Sequence, residues 1–559
     1  MTGRSADPRV VRYDEKRVER YLRSGAWSDV PTAERFHQAA VRHGDRTAVV
    51  DQHGSITYAE LDLRTDQVAA ALVEGGLAPG DPVLFQLGNS IATVVAWYAV
   101  LKAGAVPVAT LAGHRSHEIG HVARQVGAVG HLVDATPGAK FDLVAFAREQ
   151  AELTPSLRYL WTVHGAERDA TRRLEDLGTG IDPATARRVV EGVQAGLDPR
   201  DIAVFQLSGG TTGSPKIIPR LHGEYWNNGL AWGLALGRTE STVAAHAAPL
   251  LHNAGVSCGL HATHALGGCL VLPPPVKDVA LALMAAHQVD DTLFGHGMFG
   301  WILSEEYEAA AAHLRTVVLA GAKVPPEVFA RVESFGARAA QTFGMGEGLF
   351  TLTPLTAPRE LRATTVGPPL TADDEFRVLD PGSERELPDG EIGELACRGW
   401  YTIPGYFDAP EHNSRAFTSD GFYRTGDLAA VTVTADGSRY LSIEGRIKDI
   451  VNRGGEKINA EELEQLLHRH DAVLEAAVVA MPDPVLGERV CAYVVTTGAP
   501  LDVPALRRHL ESLGVAKYKW PERVEVVGGL PRTQVGKVDK RALRDDIGAK
   551  LSAGTLSSR

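Results

Sequence analysis

Residues 203–216 read AVFQLSGGTTGSPK: an apolar run, Ala203 to Leu207, leads into Ser208-Gly209-Gly210-Thr211-Thr212-Gly213-Ser214-Pro215-Lys216. The first part has the composition of a buried strand, and the second has the groups of an anion-binding loop. The glycines let the backbone approach an anion closely. Thr211, Thr212 and Ser214 add hydroxyl donors and Lys216 adds a positive charge, a set suited to a polyphosphate. The loop departs from the Walker A pattern, because Pro215 precedes the lysine where that motif needs Gly, and Ile217 follows where it needs Ser or Thr for magnesium.

Working outward, the chain alternates strand and helix signals. Thr57 and Glu60 form a capping box before a helix carrying Tyr58, Leu61, Val68 and Leu72, stopped at Gly75-Gly76. PVLFQL then reads as a strand, residues about 91 to 103 as a helix ending at Gly104, and AVPVA as the next strand. VVLAGA, 317–322, is another strand that ends in small residues. After about residue 380 the turn signals PGS, PDG and ADGS become dense, which suits a β-rich subdomain. GRIKD, 445–449, is a boundary; beyond it Asn459 with Glu462 caps a helix, EAAVVA, CAYVV and RVEVV read as strands, and Asp502 with Pro504 opens a further helix. The expected architecture is α/β: a large N-terminal domain, 1–444, with layered α/β subdomains and a β-rich subdomain, then a small α+β C-terminal domain, 445–559.

Composition narrows the function classes. The 559 residues carry a formal net charge of −12, which argues against a polyanion partner such as nucleic acid. The cysteines Cys258, Cys269, Cys397 and Cys491 form neither a CxxC pair nor a metal spacing with His, as suits a reducing cytoplasm. The start lacks an apolar signal region, and the most apolar stretch, 92–113, is interrupted by Lys102, Gly104 and Pro107, so no membrane span is expected. Glycine is in excess: 58 of 559 residues against a usual share of about 7%.

The phosphate loop, ITYAEL (56–61) and the C-terminal VGKVDK, together with the motifs between them, resemble the acyl-adenylate-forming superfamily of acyl-CoA synthetases, luciferases and peptide-synthetase adenylation domains, in that family's order. The resemblance implies ATP and Mg²⁺, with Ser208, Gly209, Gly210, Thr211, Thr212, Gly213 and Lys216 around the β- and γ-phosphates. In Thr342-Phe343-Gly344-Met345-Gly346-Glu347 it implies Phe343 against adenine and Glu347 on Mg²⁺, a role one carboxylate can fill when phosphates supply most other oxygens. It sets Gly321 and Ala322 beside adenine and the acyl group; Lys323, next to them, reads equally well as a solvent-facing lysine. Asp427, in Thr425-Gly426-Asp427, would accept from the ribose hydroxyls and Arg446 would contact the ribose from the domain border. Lys448 takes the hinge position of a mobile C-terminal domain, and Gly454 and Gly455 line the tunnel for a pantetheine thiol. Lys537 matches the catalytic lysine: joining a carboxylate to an α-phosphate brings two anions together, and a mobile cation stabilises the charge that builds up.

Pro249-Leu250-Leu251-His252-Asn253 resembles the branch that adenylates aryl acids such as 2,3-dihydroxybenzoate and salicylate for siderophore and related peptide pathways. An Asn amide can donate to the acid's carboxylate and accept from an ortho hydroxyl. Ala254, Cys258, Thr342 and Gly346 depart from the dihydroxybenzoate pattern: Cys258 weakens a bond to a 3-hydroxyl and resembles salicylate-type members, while Ala254 and Gly346 remove volume, as a bulkier bicyclic or amino-substituted ring would require. The expected activity is ATP-dependent conversion of a 2-hydroxyaryl acid to aryl-AMP, then transfer to the phosphopantetheine thiol of an aryl carrier protein. The alternatives are a free-standing aryl-CoA ligase, with coenzyme A as acceptor, and a nucleotide-binding pseudoenzyme.

Overall fold

The computed structural model describes residues 7–165, 171–208, 215–321, 323–453, 456–483, 486–498, 501–513, 515, 517–533 and 536–556. The chain forms two compact units. One comprises Met1–Gly210, Ser214–Glu375 and Cys397–Tyr423; the other takes in Phe376–Ala396 and Arg424–Arg559.

The first unit contains the strand–helix alternation read in the sequence. Thr57 and Glu60 make the reciprocal capping box of the helix Tyr58–Glu74, with Gly75 beyond its end. The strand Pro82–Gln86, the helix Ile91–Lys102 and the strand Val106–Val108 follow. These strands belong to a seven-stranded sheet ordered Arg172–Arg173, Tyr159–Val163, Gly130–Asp134, Pro82–Gln86, Val106–Val108, Ile202–Leu207, Ile217–Leu221. Its pairs are parallel except the last, so residues 208–216 bridge two antiparallel neighbours, with Leu207 opposite Ile217. An eight-stranded sheet runs Gly348–Leu352, Arg338–Met345, Thr316–Ala320, Asp291–Gly295, Val243–Ala245, Cys269–Val271, Thr47–Asp51, Gly54–Thr57, parallel inside and antiparallel at both edges.

The apolar stretch near residue 92 is a helix buried nearly all round. Tyr98 stacks on Phe36 at 3.9 Å between centroids, and Lys102, fully buried at its end, meets Asp62 at 2.6 Å and Asp66 at 2.5 Å. A paired buried lysine is tolerated where an isolated one would not be. Among the described residues no helix is long and apolar enough to cross a membrane.

The second unit carries a four-stranded sheet, Glu375–Leu379, Gly393–Arg398, Tyr423–Val433 and Arg439–Arg446, which is the β-rich element that the turn signals announced. A five-stranded sheet follows: Glu456–Asn459, Ile450–Arg453, Gly487–Thr496 and Val473–Asp483, with Arg523–Val526 parallel to Gly487–Thr496. Asn459 caps the helix Ala460–His468 through the Glu461 N–H at 3.0 Å, and Asp502 caps Val503–Ser512 through Ala505 N–H at 2.8 Å. Glu462, read as part of the first cap, instead receives Lys519 Nζ at 2.7 Å.

Candidate active site

The base of the phosphate loop is closed by its own ends: Ser208 N–H donates to the Lys216 carbonyl at 2.9 Å, and Lys216 N–H donates to Ser208 Oγ at 3.0 Å. Gly209, Gly210, Thr211, Thr212 and Gly213 lie outside the described residues, as do Ala322, Gly454 and Gly455. Lys216 Nζ stands 5.2 Å from the centroid of the Tyr406 ring. Burial pulls its ammonium below the ordinary lysine range, and Glu347 acts in the opposite sense.

Glu347 is buried at the turn between the antiparallel strands Arg338–Met345 and Gly348–Leu352. Its Oε1 accepts from the Tyr406 hydroxyl at 2.6 Å, and that hydroxyl also lies 2.8 Å from the Tyr423 hydroxyl. Burial, then the charge of Glu347, raises the Tyr406 phenol far above its ordinary range, so it stays protonated and donates. Tyr423 must therefore be the donor to Tyr406. Among the described residues no hydrogen bond reaches Oε2 of Glu347, and a hard oxygen donor of this kind fits Mg²⁺ if phosphate and water complete the shell. Nothing in the spacing of the motifs marks Tyr406, which reads in sequence as an ordinary core aromatic, while Tyr423 opens the segment that holds Thr425-Gly426-Asp427.

A buried ion pair adjoins this turn. Arg220 is a charge inside the apolar strand Ile217–Leu221, with Glu224 four residues on. The pair is fully buried and bidentate, Nε to Oε1 at 2.8 Å and the second nitrogen to Oε2 at 2.6 Å. Burial opposes the Arg220 charge, but Glu224 outweighs it and raises the guanidinium further. Its third nitrogen donates to the Gly346 carbonyl at 2.9 Å, adjoining Glu347.

The residues expected around the acid lie in the same unit. Asn253 is buried, and its Oδ1 accepts from the Tyr225 hydroxyl at 3.1 Å and from Ser257 Oγ at 3.5 Å; Gln206 in turn donates to Tyr225 at 2.9 Å. Oδ1 is thus engaged within the protein, and among the described residues no hydrogen bond is made by the Asn253 amide nitrogen. His252 is exposed, with Nδ1 accepting from Ala254 N–H at 3.4 Å, and Ala254 is half-buried. Cys258 lies in the π-helical stretch Gly255–His261, where burial pushes its thiol up and keeps it neutral. Its carbonyl accepts from Arg238, which is paired with Asp291 at 2.8 Å. Thr342 is buried and gives its hydroxyl to the Thr351 carbonyl across the strand pair. At Gly346, Ile218 Cδ1 lies 2.8 Å from where a Cβ would be. Phe343 is half-buried on the same strand, and Gly321, with φ of +93°, follows the strand Thr316–Ala320.

In the second unit Asp427 and Arg446 are cross-strand partners, with Nε 2.8 Å from Oδ1. Asp427 is buried and its N–H donates to Thr425 Oγ1 at 3.0 Å, whereas Arg446 is largely exposed. Lys448 sits on the short 3₁₀ turn Ile447–Asp449; burial, then Arg446, lowers its ammonium. The Asn459 side chain donates to the Glu444 carbonyl, tying the start of this segment to the helix cap. Lys537 is exposed beside a turn in which Thr533 N–H donates to its carbonyl at 2.7 Å, and the charges acting on it are Arg446, Asp427 and Glu461. The second unit thus contains Asp427, Arg446 and Lys537, expected at the ribose and the α-phosphate, while the first contains Ser208, Lys216, Glu347 and the residues expected around the acid.

Residues 36–407 match the model of the AMP-binding enzyme family and residues 462–537 match the AMP-binding enzyme C-terminal domain. The chain belongs to the AMP-binding enzyme family. It is 41% identical to a Salicylyl-CoA synthase / salicylate adenylyltransferase of a Streptomyces species, covering 97% of this chain and 98% of that protein. It is 38% identical to the Salicyl-AMP ligase / salicyl-S-ArCP synthetase of Mycobacterium tuberculosis, covering 98% and 96%. The solved apo structure of Mycobacterium smegmatis MbtA superposes with a TM-score of 0.72 at 34% identity, over 96% of this chain and 98% of that one.

Proposed function

We propose that the protein activates an aromatic carboxylic acid, of the 2-hydroxyaryl kind, with ATP and passes it to a thiol. In the first step a carboxylate oxygen of the acid attacks the α-phosphorus, the bond to the β-phosphate oxygen breaks, and aryl-AMP and pyrophosphate form. In the second a thiolate attacks the acyl carbon and AMP leaves. The observation that carries the aromatic-acid reading is Asn253, buried and locked through Oδ1 by Tyr225, so that its amide nitrogen is the donor left for a carboxylate. Full-length likeness to two salicylate-activating enzymes supports it.

Ser208, Gly209, Gly210, Thr211, Thr212, Gly213 and Lys216 hold the phosphates, Gly321, Ala322 and Phe343 border the adenine, and Asp427 with Arg446 takes the ribose. Glu347 holds Mg²⁺, which when bound neutralises phosphate charge and favours departure of pyrophosphate. Lys537 stabilises the α-phosphate transfer. His252, Asn253, Ala254, Cys258, Thr342 and Gly346 surround the acid. For the second step residues 445–559 turn about Lys448, and Gly454 and Gly455 admit the pantetheine arm of an aryl carrier protein, as in secondary-metabolite or siderophore assembly.

The test is ATP–pyrophosphate exchange with a panel of benzoic, hydroxybenzoic, amino-substituted and bicyclic acids. Exchange with a hydroxybenzoic acid is expected; none with any aromatic acid rejects the reading. A second reading, an aryl-CoA ligase, is favoured by the Streptomyces relative named as a CoA synthase. Product mass with coenzyme A and with a loaded carrier protein separates the two acceptors, and a bicyclic acid outperforming salicylate would establish an enlarged pocket.

A further inference from the structure

The helix His222–Ala235 presents Tyr225, Asn228, Gly229 and Trp232 on one face, the i, i+3, i+4, i+7 spacing of a buried stripe. Both ends of the stripe reach the acid-pocket residues. The Tyr225 hydroxyl donates to Asn253 at 3.1 Å, and Trp232 lies edge-on to Phe350 at 5.8 Å, in the apolar cluster that includes Cys258. Between them the helix touches the π-helical stretch directly: a Cβ on Gly229 would fall 2.6 Å from His261 Cβ and 2.9 Å from the Ser257 carbonyl oxygen, an approach that only glycine permits.

Asn228 is fully buried at this crossing, and among the described residues neither its Nδ2 nor its Oδ1 has a hydrogen-bond partner. One turn on, Trp232 Nε1 is buried and equally unpartnered. A buried amide that satisfies neither its donor nor its acceptor is unfavourable, and such groups call for a partner. Tyr225 and Ser257 engage Oδ1 of Asn253 and Gln206 engages Tyr225, and none of the three hydrogen-bonds Asn228.

We propose that Asn228 is a specificity-determining residue that reads a polar substituent on the aromatic ring of the acid, one that accepts from Nδ2 and donates to Oδ1, as a hydroxyl does. Asn253 then engages the carboxylate and Asn228 the ring substituent, so the two amides select for both ends of the substrate. The inference rests on the aryl-acid reading above.

Pyrophosphate exchange with benzoate, hydroxybenzoates, methoxybenzoates and aminobenzoates is measured for the full chain and for Asn228→Leu. The preference in kcat/KM for the best hydroxylated acid over benzoate falls at least about tenfold in the variant. The ligand-free Tm rises, because leucine removes an unpartnered amide at similar volume. An unchanged preference, whether Tm rises or falls, overturns the proposal and leaves Asn228 a structural residue. Should Asn228→Leu fail to fold, Asn228→Asp decides: an acceptor-only side chain favours acids whose substituent donates over methoxy acids, which only accept, and the parent's ranking in this variant overturns the proposal. Exchange by the parent with an unaltered ranking in the variants removes Asn228 alone; no exchange by the parent with any acid removes the aryl-acid reading and this inference with it.

Discussion

The Tyr406 hydroxyl donates to Glu347 Oε1 at 2.6 Å while its ring faces Lys216 Nζ at 5.2 Å. One side chain thus touches both the lysine of the phosphate loop and the carboxylate assigned to the metal. Tyr406→Phe keeps the ring and removes the bond to a charged acceptor, a loss of about 1.5–3 kcal/mol. The expected result is pyrophosphate exchange lowered about tenfold or more with a raised Mg²⁺ requirement; Mg²⁺ titration of both proteins checks it, and identical Mg²⁺ curves would refute the coupling.

Lys537 lies within the electrostatic reach of the Asp427–Arg446 pair. Lys537→Ala is expected to slow adenylate formation about 10²- to 10³-fold, the scale seen when a transition-state charge loses one stabilising group. Transfer from preformed aryl-AMP to a thiol should be spared. Single-turnover measurement of the two half-reactions separates them, and equal loss of both would reject the assigned role.

The Arg220–Glu224 pair is buried on all sides and also holds the Gly346 carbonyl. Arg220→Met strands the Glu224 carboxylate and is expected to cost about 3–5 kcal/mol of stability. Adding Glu224→Leu should restore part of that loss. Urea denaturation of the three proteins reads the energies; a double variant no more stable than Arg220→Met would show that the stranded charge is not the cause.

Asp374 gives a pH dependence with a definite sign. Burial raises its carboxyl from 3.8 to about 7, against the opposing bonds from Thr371 and Tyr401. The folded state keeps the proton between these values, so the contribution is complete below about pH 4 and declines as pH rises toward about 7. The slope is at most about 1.4 kcal/mol per pH unit. Asp374→Asn should flatten the Tm profile across this window; a profile as steep as the parent's would assign the dependence to other groups.

Much of this architecture is legible in sequence because it is written locally. The Thr57–Glu60 box, the Asp502 cap and the strand Ile202–Leu207 each depend on residues within a few positions of one another. The motif lysines and acids stand in short local segments whose resemblance to the family is read from adjacent residues. What escaped depends on long-range packing. Tyr406 meets Glu347 across 59 positions, and Tyr225 meets Asn253 across 28, so neither contact leaves a periodic trace. The neighbour of Gly346 is hidden from sequence for the same reason: Ile218 comes from a strand far away along the chain.

The π-helical stretch Gly255–His261 carries one last implication. A π ladder closes five positions back where an α ladder closes four back, so it takes in one residue more while the chain on either side keeps nearly the same heading. Asn253 precedes that stretch and Cys258 lies within it, so a one-residue deletion that closes the ordinary ladder re-aims the side chains of the stretch itself, Cys258 among them, relative to Asn253: here the number of residues matters alongside their chemical nature.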